Sequence, residues 1–172
     1  VYKIIKDYKK PEVVVASSIF THLKNPDNFI KNLKLLLPRG GTFILEVEYL
    51  KSIINKKQFE RFYFDRPFYY SLNSINKLFA KNKLSLVDFE KIKTHGGSLR
   101  CYIKNNANLK KSKKLSTELK KEKKLLNQKK LINFTKLINH YSSDFNLKLS
   151  SMNKEKKFII GYGCPARVST IT

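Results

Sequence analysis

Tryptophan is absent from the 172 residues, methionine occurs once and cysteine twice. Cys101 and Cys164 lie far apart and in no ligand-like cluster, so a disulfide framework and a cysteine-based zinc site both lack their material. Acidic side chains are scarce: 13 Asp and Glu face 36 Lys and Arg, a formal charge of +23. No apolar run approaches the ~20 residues of a membrane-spanning helix, which excludes an integral helical membrane protein. The start does not read as a secretory signal, because Tyr2 to Asp7 mixes charge with apolar residues and no long apolar stretch follows. Composition gives the cytoplasm by default. Gly161 to Thr172 reads as a strand-turn running into the first residues of a helix, which favours a fragment of a longer chain.

What is present suffices for a core of about one domain, since 41% of residues are hydrophobic and 12% aromatic. The positive excess attracts polyanions over a distance, and nucleic acid is the default suspect. Yet only five residues are Arg, and Lys spread along solvated faces is the plainer reading.

Val13 to Ser17 is a short β-branched run, the pattern of a strand covered on both faces, and Ser18 to Lys24 reads as a loop. Asn25-Pro26-Asp27 supplies an N-cap, a proline at the first helical position and an acid in the first turn; Phe29, Ile30, Leu33, Leu36 and Leu37 form the apolar stripe. Pro38-Arg39-Gly40-Gly41 ends that helix, and Thr42 to Glu48 reads as a second strand, parallel to the first. Open α/β sheets bind ligands beyond the carboxyl ends of their strands, which points to Ser17, Ser18, His22, Glu48 and Tyr49.

Leu50 to Lys57 reads as a short helix and Phe59 to Tyr70 as an aromatic-dense segment. Ser71 caps a helix with stripe Leu72, Ile75, Leu78 and Phe79. Leu84 to Phe89 and Ser98 to Ile103 read as antiparallel strands around His95-Gly96-Gly97. Lys110 to Lys130 holds ten lysines and two acids, a solvated helix or a linker. From Leu131 to Met152 the spacing predicts a long amphipathic helix packed against a domain, and Phe158 to Gly163 an apolar strand. The simplest organisation is residues 1–106, a lysine-rich connector over 107–130, and the start of a second unit over 131–172.

Thr94 to Arg100 joins an imidazole, two glycines that let a backbone approach a ligand, a hydroxyl and a guanidinium. Together with ASSIFTHL, LLLPRGGTFILEVEYL, FDRPFYYSLNSINKLF, KTHGGSLRCYI and GYGCPAR, this order resembles the S-adenosylmethionine-dependent sugar C-methyltransferase family. The resemblance runs from about Pro11 to Thr172 and is weakest through the lysine-rich stretch. It implies an α/β fold: the C-terminal half of a class I methyltransferase Rossmann-like sheet, with Val13 to Ser17 and Thr42 to Glu48 as its fourth and fifth strands and Leu84 to Ile103 as its closing pair. The start of a second α/β domain follows, joined by a long helix. The resemblance also puts the main loop for the methyl donor, and a zinc-binding module, ahead of Val1, so this chain alone should not bind the donor properly; Ser17 and Ser18 are the cofactor-side candidates here.

Family members methylate a carbon beside a ketone in a nucleotide-linked sugar: a base removes a proton, an enolate forms and the enolate attacks the donor methyl. His22 matches a family active-site histidine, and Tyr63 and Asp65 match the first and third positions of a Tyr-x-Glu-His motif. The motif's final histidine, the family's proposed base, aligns with Arg66, which stays protonated and cannot take a proton. Asp65, His22 or His95 would then carry that role. Gly96, Gly97, Ser98, Arg100, Tyr162 and Arg167 are the substrate-side candidates, with Ser98, Arg100 and Arg167 suited to phosphate or ribose. His22, Tyr63, Asp65, Arg66, His95 and Arg100 are expected to line one cleft. Two other readings stay open: an inactive relative that keeps sugar-nucleotide binding, and a non-catalytic basic module for nucleic acid or other polyanions.

Overall fold

A computed structural model describes residues 2–163 and 165–170. Cys164, inside the GYGCPAR stretch, lies outside the described residues, as do Val1, Ile171 and Thr172.

The chain forms α1 (Tyr2–Asp7), β1 (Val13–Ser17), α2 (Pro26–Leu36), β2 (Thr42–Glu48), α3 (Leu50–Asn55), α4 (Leu72–Lys81), β3 (Ser85–Ile92), β4 (Ser98–Lys104), α5 (Lys113–Leu125) and α6 (Gln128–Lys154). The four strands make one mixed α/β sheet in the order β1-β2-β4-β3. β1 runs parallel to β2, from Val13 opposite Thr42 to Ser17 opposite Glu46, whereas β4 is antiparallel to both β2 and β3.

The caps are local and follow from sequence. Asn25 accepts the Asn28 amide at 3.0 Å at the start of α2, with Pro26 in the first turn. Ser71 and Ser74 exchange side-chain and backbone hydrogen bonds across the first turn of α4. A register shift between Leu86 and Asp88 marks a bulge in β3, and the Val87 carbonyl there accepts the amide of Ser112, the residue that caps α5.

One face of the sheet carries the core. Phe43, Leu45 and Val47 of β2 sit beside Ile103, Cys101 and Leu99 of β4, under Ile30, Leu33, Ile75 and Phe79 of α2 and α4. Phe20 joins them from a 3-10 turn, Phe20–His22, inside the segment expected to be a loop. Its ring lies 5.1 Å from Tyr70 and 5.6 Å from Phe29, so burying this aromatic is what orders the turn.

The other face is open, which corrects the expectation for the first strand. Val13 and Val15 are 51% and 61% exposed, because β1 is an edge strand whose second face meets no helix among the described residues. A β-branched run reports strand propensity, and burial on both faces was an added step.

The lysine-rich stretch forms a helix that packs. Leu115 and Glu122 of α5 are buried, and both acids of the stretch are anchors. Glu122 accepts the Leu72 amide at 2.8 Å and the Asn73 amide and side chain at 2.7 Å each. Glu118 binds Lys51 at 2.7 Å and Lys91 at 3.0 Å. The long helix α6 packs through its first half, where Phe134 lies edge-on to Phe62 at 6.0 Å and Tyr141 stacks on Phe59 at 6.1 Å. Farther along, Phe145 and Leu147 are exposed. The apolar strand expected at Phe158 to Gly163 is not formed: these residues are exposed and irregular, with no strand pairing to satisfy the backbone among the described residues.

Replacing Glu122 with Leu removes three hydrogen bonds to a charged acceptor and leaves the Leu72 and Asn73 amides at the start of α4 unpaired, so we expect a loss of about 2–4 kcal/mol in urea unfolding. Lys120→Ala and Lys123→Ala, on the exposed face, should stay within about 0.5 kcal/mol. Equal effects at all three positions would remove Glu122 from its role as anchor.

Candidate active site

The carboxyl ends of β1 and β2 lie side by side, and the segment from Phe59 to Tyr70 crosses beyond them. β2 alternates: Phe43, Leu45 and Val47 face the core, which sends Glu46 and Glu48 to the opposite face at the ligand-facing end. Glu48 is nevertheless 5% exposed, because two guanidiniums close over it. Arg61 Nη1 donates to Glu48 Oε1 at 3.2 Å, and Arg66 Nη1 pairs with the same oxygen. Both arginine side chains are more than nine-tenths buried. Glu48 Oε2, Arg61 Nε and Arg66 Nε are buried and have no hydrogen-bond partner among the described residues.

Arg66 also lies over the Tyr63 ring, 5.0 Å from its centroid. The segment is braced by Tyr69, whose hydroxyl donates to the Arg61 carbonyl at 2.7 Å and accepts the Tyr63 amide at 3.1 Å. Burial raises the Tyr69 phenol above its ordinary value, against the opposing effect of its hydrogen bond from Tyr63.

His22 meets Asp65 twice. Its Nδ1 lies 2.9 Å from the Asp65 carbonyl oxygen and 3.1 Å from the Asp65 carboxylate. A carbonyl only accepts, so Nδ1 carries the proton and Nε2 of the neutral ring is left with its lone pair.

On the neighbouring edge, Arg100 Nε donates to Glu46 Oε1 at 2.6 Å, and Ser17 donates to the other Glu46 oxygen at 3.0 Å. The Arg100 hydrogen bond holds the Glu46 carboxyl below its usual range, outweighing burial. Ser18 Oγ lies 3.5 Å from His95 Nε2. The Ser98 hydroxyl donates to the Thr94 carbonyl at 2.9 Å and is buried.

The two glycines admit side chains of this same chain. A Cβ on Gly96 would stand 2.7 Å from Gln58 and 2.8 Å from Arg61, and one on Gly97 would stand 2.9 Å from Ser52; both have positive φ. The sequence reading gave the pair to the approach of a ligand; what stands against these glycines is the wall of Ser52, Gln58 and Arg61. Tyr162 is fully exposed and joins none of these groups among the described residues. Arg167 sits on a turn, Ala166–Thr170, that packs on Phe59–Arg61, with Thr170 donating to the Phe62 carbonyl at 2.6 Å.

The structure thus gathers Ser17, Ser18, His22, Tyr63, Asp65, Arg66, His95, Gly96, Gly97, Ser98 and Arg100 at one end of the sheet. It adds Glu46 and Arg61, which sequence reasoning did not name, and gives a partner to Glu48, which that reasoning placed at this strand end without one. The signal available was the alternation of Glu46 and Glu48 against Phe43, Leu45 and Val47.

Ser17 and Ser18 are both engaged internally, and no positive-φ glycine follows β1 among the described residues. These two residues do not by themselves fit a nucleoside-bearing methyl donor. Among the described residues no group of three or more His, Cys, Asp or Glu side chains is arranged to hold a metal ion. Cys101 is buried and its thiol is pushed up by that burial, which takes it out of nucleophilic chemistry.

Residues 93–172 match the family described as C-methyltransferase C-terminal domain. Over 87 residues, 51% of this chain, the sequence is 30% identical to C-methyltransferase NovU of Streptomyces niveus, of which it spans 21%. A chain from the complex between the Haloferax volcanii Trm112 methyltransferase activator and a methyltransferase superposes with a TM-score of 0.46 at 15% identity, over 55% of this chain and 54% of that one. The family match covers the part of the chain that holds the HGGSLR and GYGCPAR stretches, and the chain spans about a fifth of the curated relative it matches.

Glu48→Gln takes the shared counter-charge from two buried guanidiniums, leaving Arg61 only the more distant Glu60 at 3.9 Å, so urea unfolding should show a loss of about 3–5 kcal/mol. The apolar triple replacement Glu48→Leu, Arg61→Met, Arg66→Met should recover most of that loss. An unchanged Glu48→Gln would mean the clamp holds nothing.

Acid stability reads out Glu46. Its native pKa is depressed, so its contribution is complete above the ordinary glutamate value of 4.5 and is lost as pH falls through the depressed value. Glu46→Gln should therefore show a shallower acid limb than the parent when unfolding midpoints are followed with pH, and parallel limbs would contradict the pairing with Arg100.

Proposed function

We propose that the whole protein is an S-adenosylmethionine-dependent methyltransferase that methylates a carbon beside a ketone in a nucleotide-diphosphate sugar, with His22 as the base. The observation that carries the assignment of the base is the double contact of His22 Nδ1 with Asp65, which orients the ring and leaves Nε2 to accept a proton.

Arg66 stands where the resemblance puts the family's base, and its guanidinium is committed to Glu48. His22, 32% exposed in its side chain and on the turn after β1, is the imidazole at this sheet end whose Nδ1 is held by a carbonyl, which makes Nε2 the position at which the ring would take a proton. Asp65 fixes the tautomer and stabilises the imidazolium formed when the ring takes the proton, as a carboxylate does for a general-base histidine. The charge left on the substrate is an enolate, and the guanidiniums of Arg61 and Arg66, held at fixed positions on Glu48, are the nearest buried cations that could favour it. The donor supplies the methyl group; the resemblance puts its main loop ahead of residue 1.

A second reading, a relative that binds sugar nucleotide without turnover, draws on the same Arg66. The two part in one experiment on the complete protein: wash-in of solvent deuterium beside the ketone of a nucleotide-linked ketosugar, which needs the base and no methyl transfer. His22→Gln should slow exchange by about 10²–10⁴-fold. Asp65→Asn should slow it less and move its pH profile. Exchange unchanged in His22→Gln would remove it as the base. Calorimetric binding of the sugar nucleotide without any exchange would favour the inactive relative. Binding of neither S-adenosylhomocysteine nor sugar nucleotide, with polyanion affinity kept, would favour the basic module.

A further inference from the structure

A cavity of about 650 Å³ opens at the far end of the sheet, beside the amino ends of β1 and β2. Six cations line it: Lys10, Lys31, Lys34, Arg39, Lys81 and Lys83. No carboxylate does. Among the described residues one of the six has an acidic partner, Lys81, which binds Asp27 at 3.3 Å. Asp27 itself is held below its ordinary value by hydrogen bonds from Lys81 and Asn82 and then by the charges of Lys81 and Lys31.

Two helices end near this cavity, and exposed helix-end carbonyls are an ordinary reason for lysines to gather. That reason is largely removed here. The Asn105 side chain donates to the Lys34, Leu37 and Pro38 carbonyls at 3.3, 2.9 and 3.2 Å, which closes the end of α2 without a lysine. The cations also come from four separate parts of the chain: the segment before β1, α2, the α2–β2 turn and the end of α4. Their convergence on one cavity is a property of the fold.

We infer that this cavity is a binding site for an oligophosphate anion, separate from the site at the carboxyl ends of the strands. Its volume lies within the ~300–1,000 Å³ of small-ligand pockets. Five cations without an acidic partner among the described residues, set around one opening, suit several linked phosphates better than one carboxylate. Arg39 supplies a planar fork for phosphate oxygens, and the lysines supply point charge. Leu35, Leu37 and Pro38 give the cavity an apolar side against which a nucleoside would rest if the phosphates belong to a nucleotide.

The test is isothermal titration of the 172-residue chain with sodium tripolyphosphate, then ATP and AMP. One site per chain is expected, weakening as salt is raised. Lys34→Glu with Arg39→Glu should weaken tripolyphosphate binding by about tenfold or more, whereas Lys120→Glu with Lys124→Glu, exposed on α5, should change it less than about twofold. The milder pair Lys34→Gln with Arg39→Gln, checked for an unaltered melting temperature, should fall between. ATP binding more tightly than tripolyphosphate would make the ligand a nucleotide, and equal affinities with AMP inert would make it a bare phosphate chain; both support the site. Equal weakening by the α5 pair, many equivalents bound per chain, or no binding at all would overturn it and return these lysines to diffuse surface charge.

Discussion

Glu48 is the point on which the candidate site turns. The segment from Phe59 to Tyr70 has one short turn and no strand, so little of its own backbone pairing fixes it across the end of the sheet. What fixes it is a carboxylate at the last position of β2, gripped by Arg61 and Arg66 and buried beneath them. Taking three charges out of water is costly, and Glu48 offsets two guanidiniums only in part, with the half-buried Glu60 3.9 Å from Arg61 adding to it. Arginine suits the task better than lysine, because a weakly hydrated planar fork loses less on burial and can rest on the Tyr63 ring while it pairs. The same clamp decides what Arg66 is free to do: its charge is spent locally on Glu48, and the imidazole one turn after β1 is left as the group with an open nitrogen.

The lysine-rich helix repeats this logic on a smaller scale. Ten lysines between Lys110 and Lys130 say little about where the helix sits, since each is content in water. The two acids among them say a great deal. Glu122 satisfies the free amides at the start of α4, and Glu118 gathers Lys51 and Lys91. Burial raises Glu118, but the hydrogen bonds of those lysines outweigh it and hold the carboxyl below its usual range. In a chain of +23 the rare charge is the informative one, because each carboxylate has many cations to choose from and the fold selects among them.

The fold was legible wherever the signal was local. Asn25-Pro26-Asp27, the serine before Leu72, and the alternation of Thr42 to Glu48 each specify an element by capping or pleat, and each stands where it was read. What failed depended on partners far along the chain. Val13 to Ser17 is a strand, yet its burial is set by whether anything covers the second face of the sheet. Phe158 to Gly163 has a strand's composition without a neighbour to pair with among the described residues. For the site, the histidines and the HGGSLR stretch were legible as chemistry-bearing types. Arg61 was not, because its meaning comes from Glu48, 13 residues earlier, and from a backbone path that no periodicity encodes.

Pairing, more than net charge, separates the two ends of the sheet. At the carboxyl ends of β1 and β2 the arginines and one histidine have an anion within reach: Arg100 with Glu46, Arg61 and Arg66 with Glu48, and His22 beside Asp65. That end is electrostatically organised at short range, with orientation as the product, which suits a group that must hold one tautomer or one oxygen in place. At the amino ends the cations around the cavity face one another with no acid in its lining and one, Asp27, paired with Lys81, and their field is left to reach outward. A field of that kind attracts anions without orienting chemistry. The two ends of one small sheet are therefore suited to different tasks, and the fold divides the cations between a paired set of arginines at one end and a mostly unpaired set, chiefly lysines, at the other.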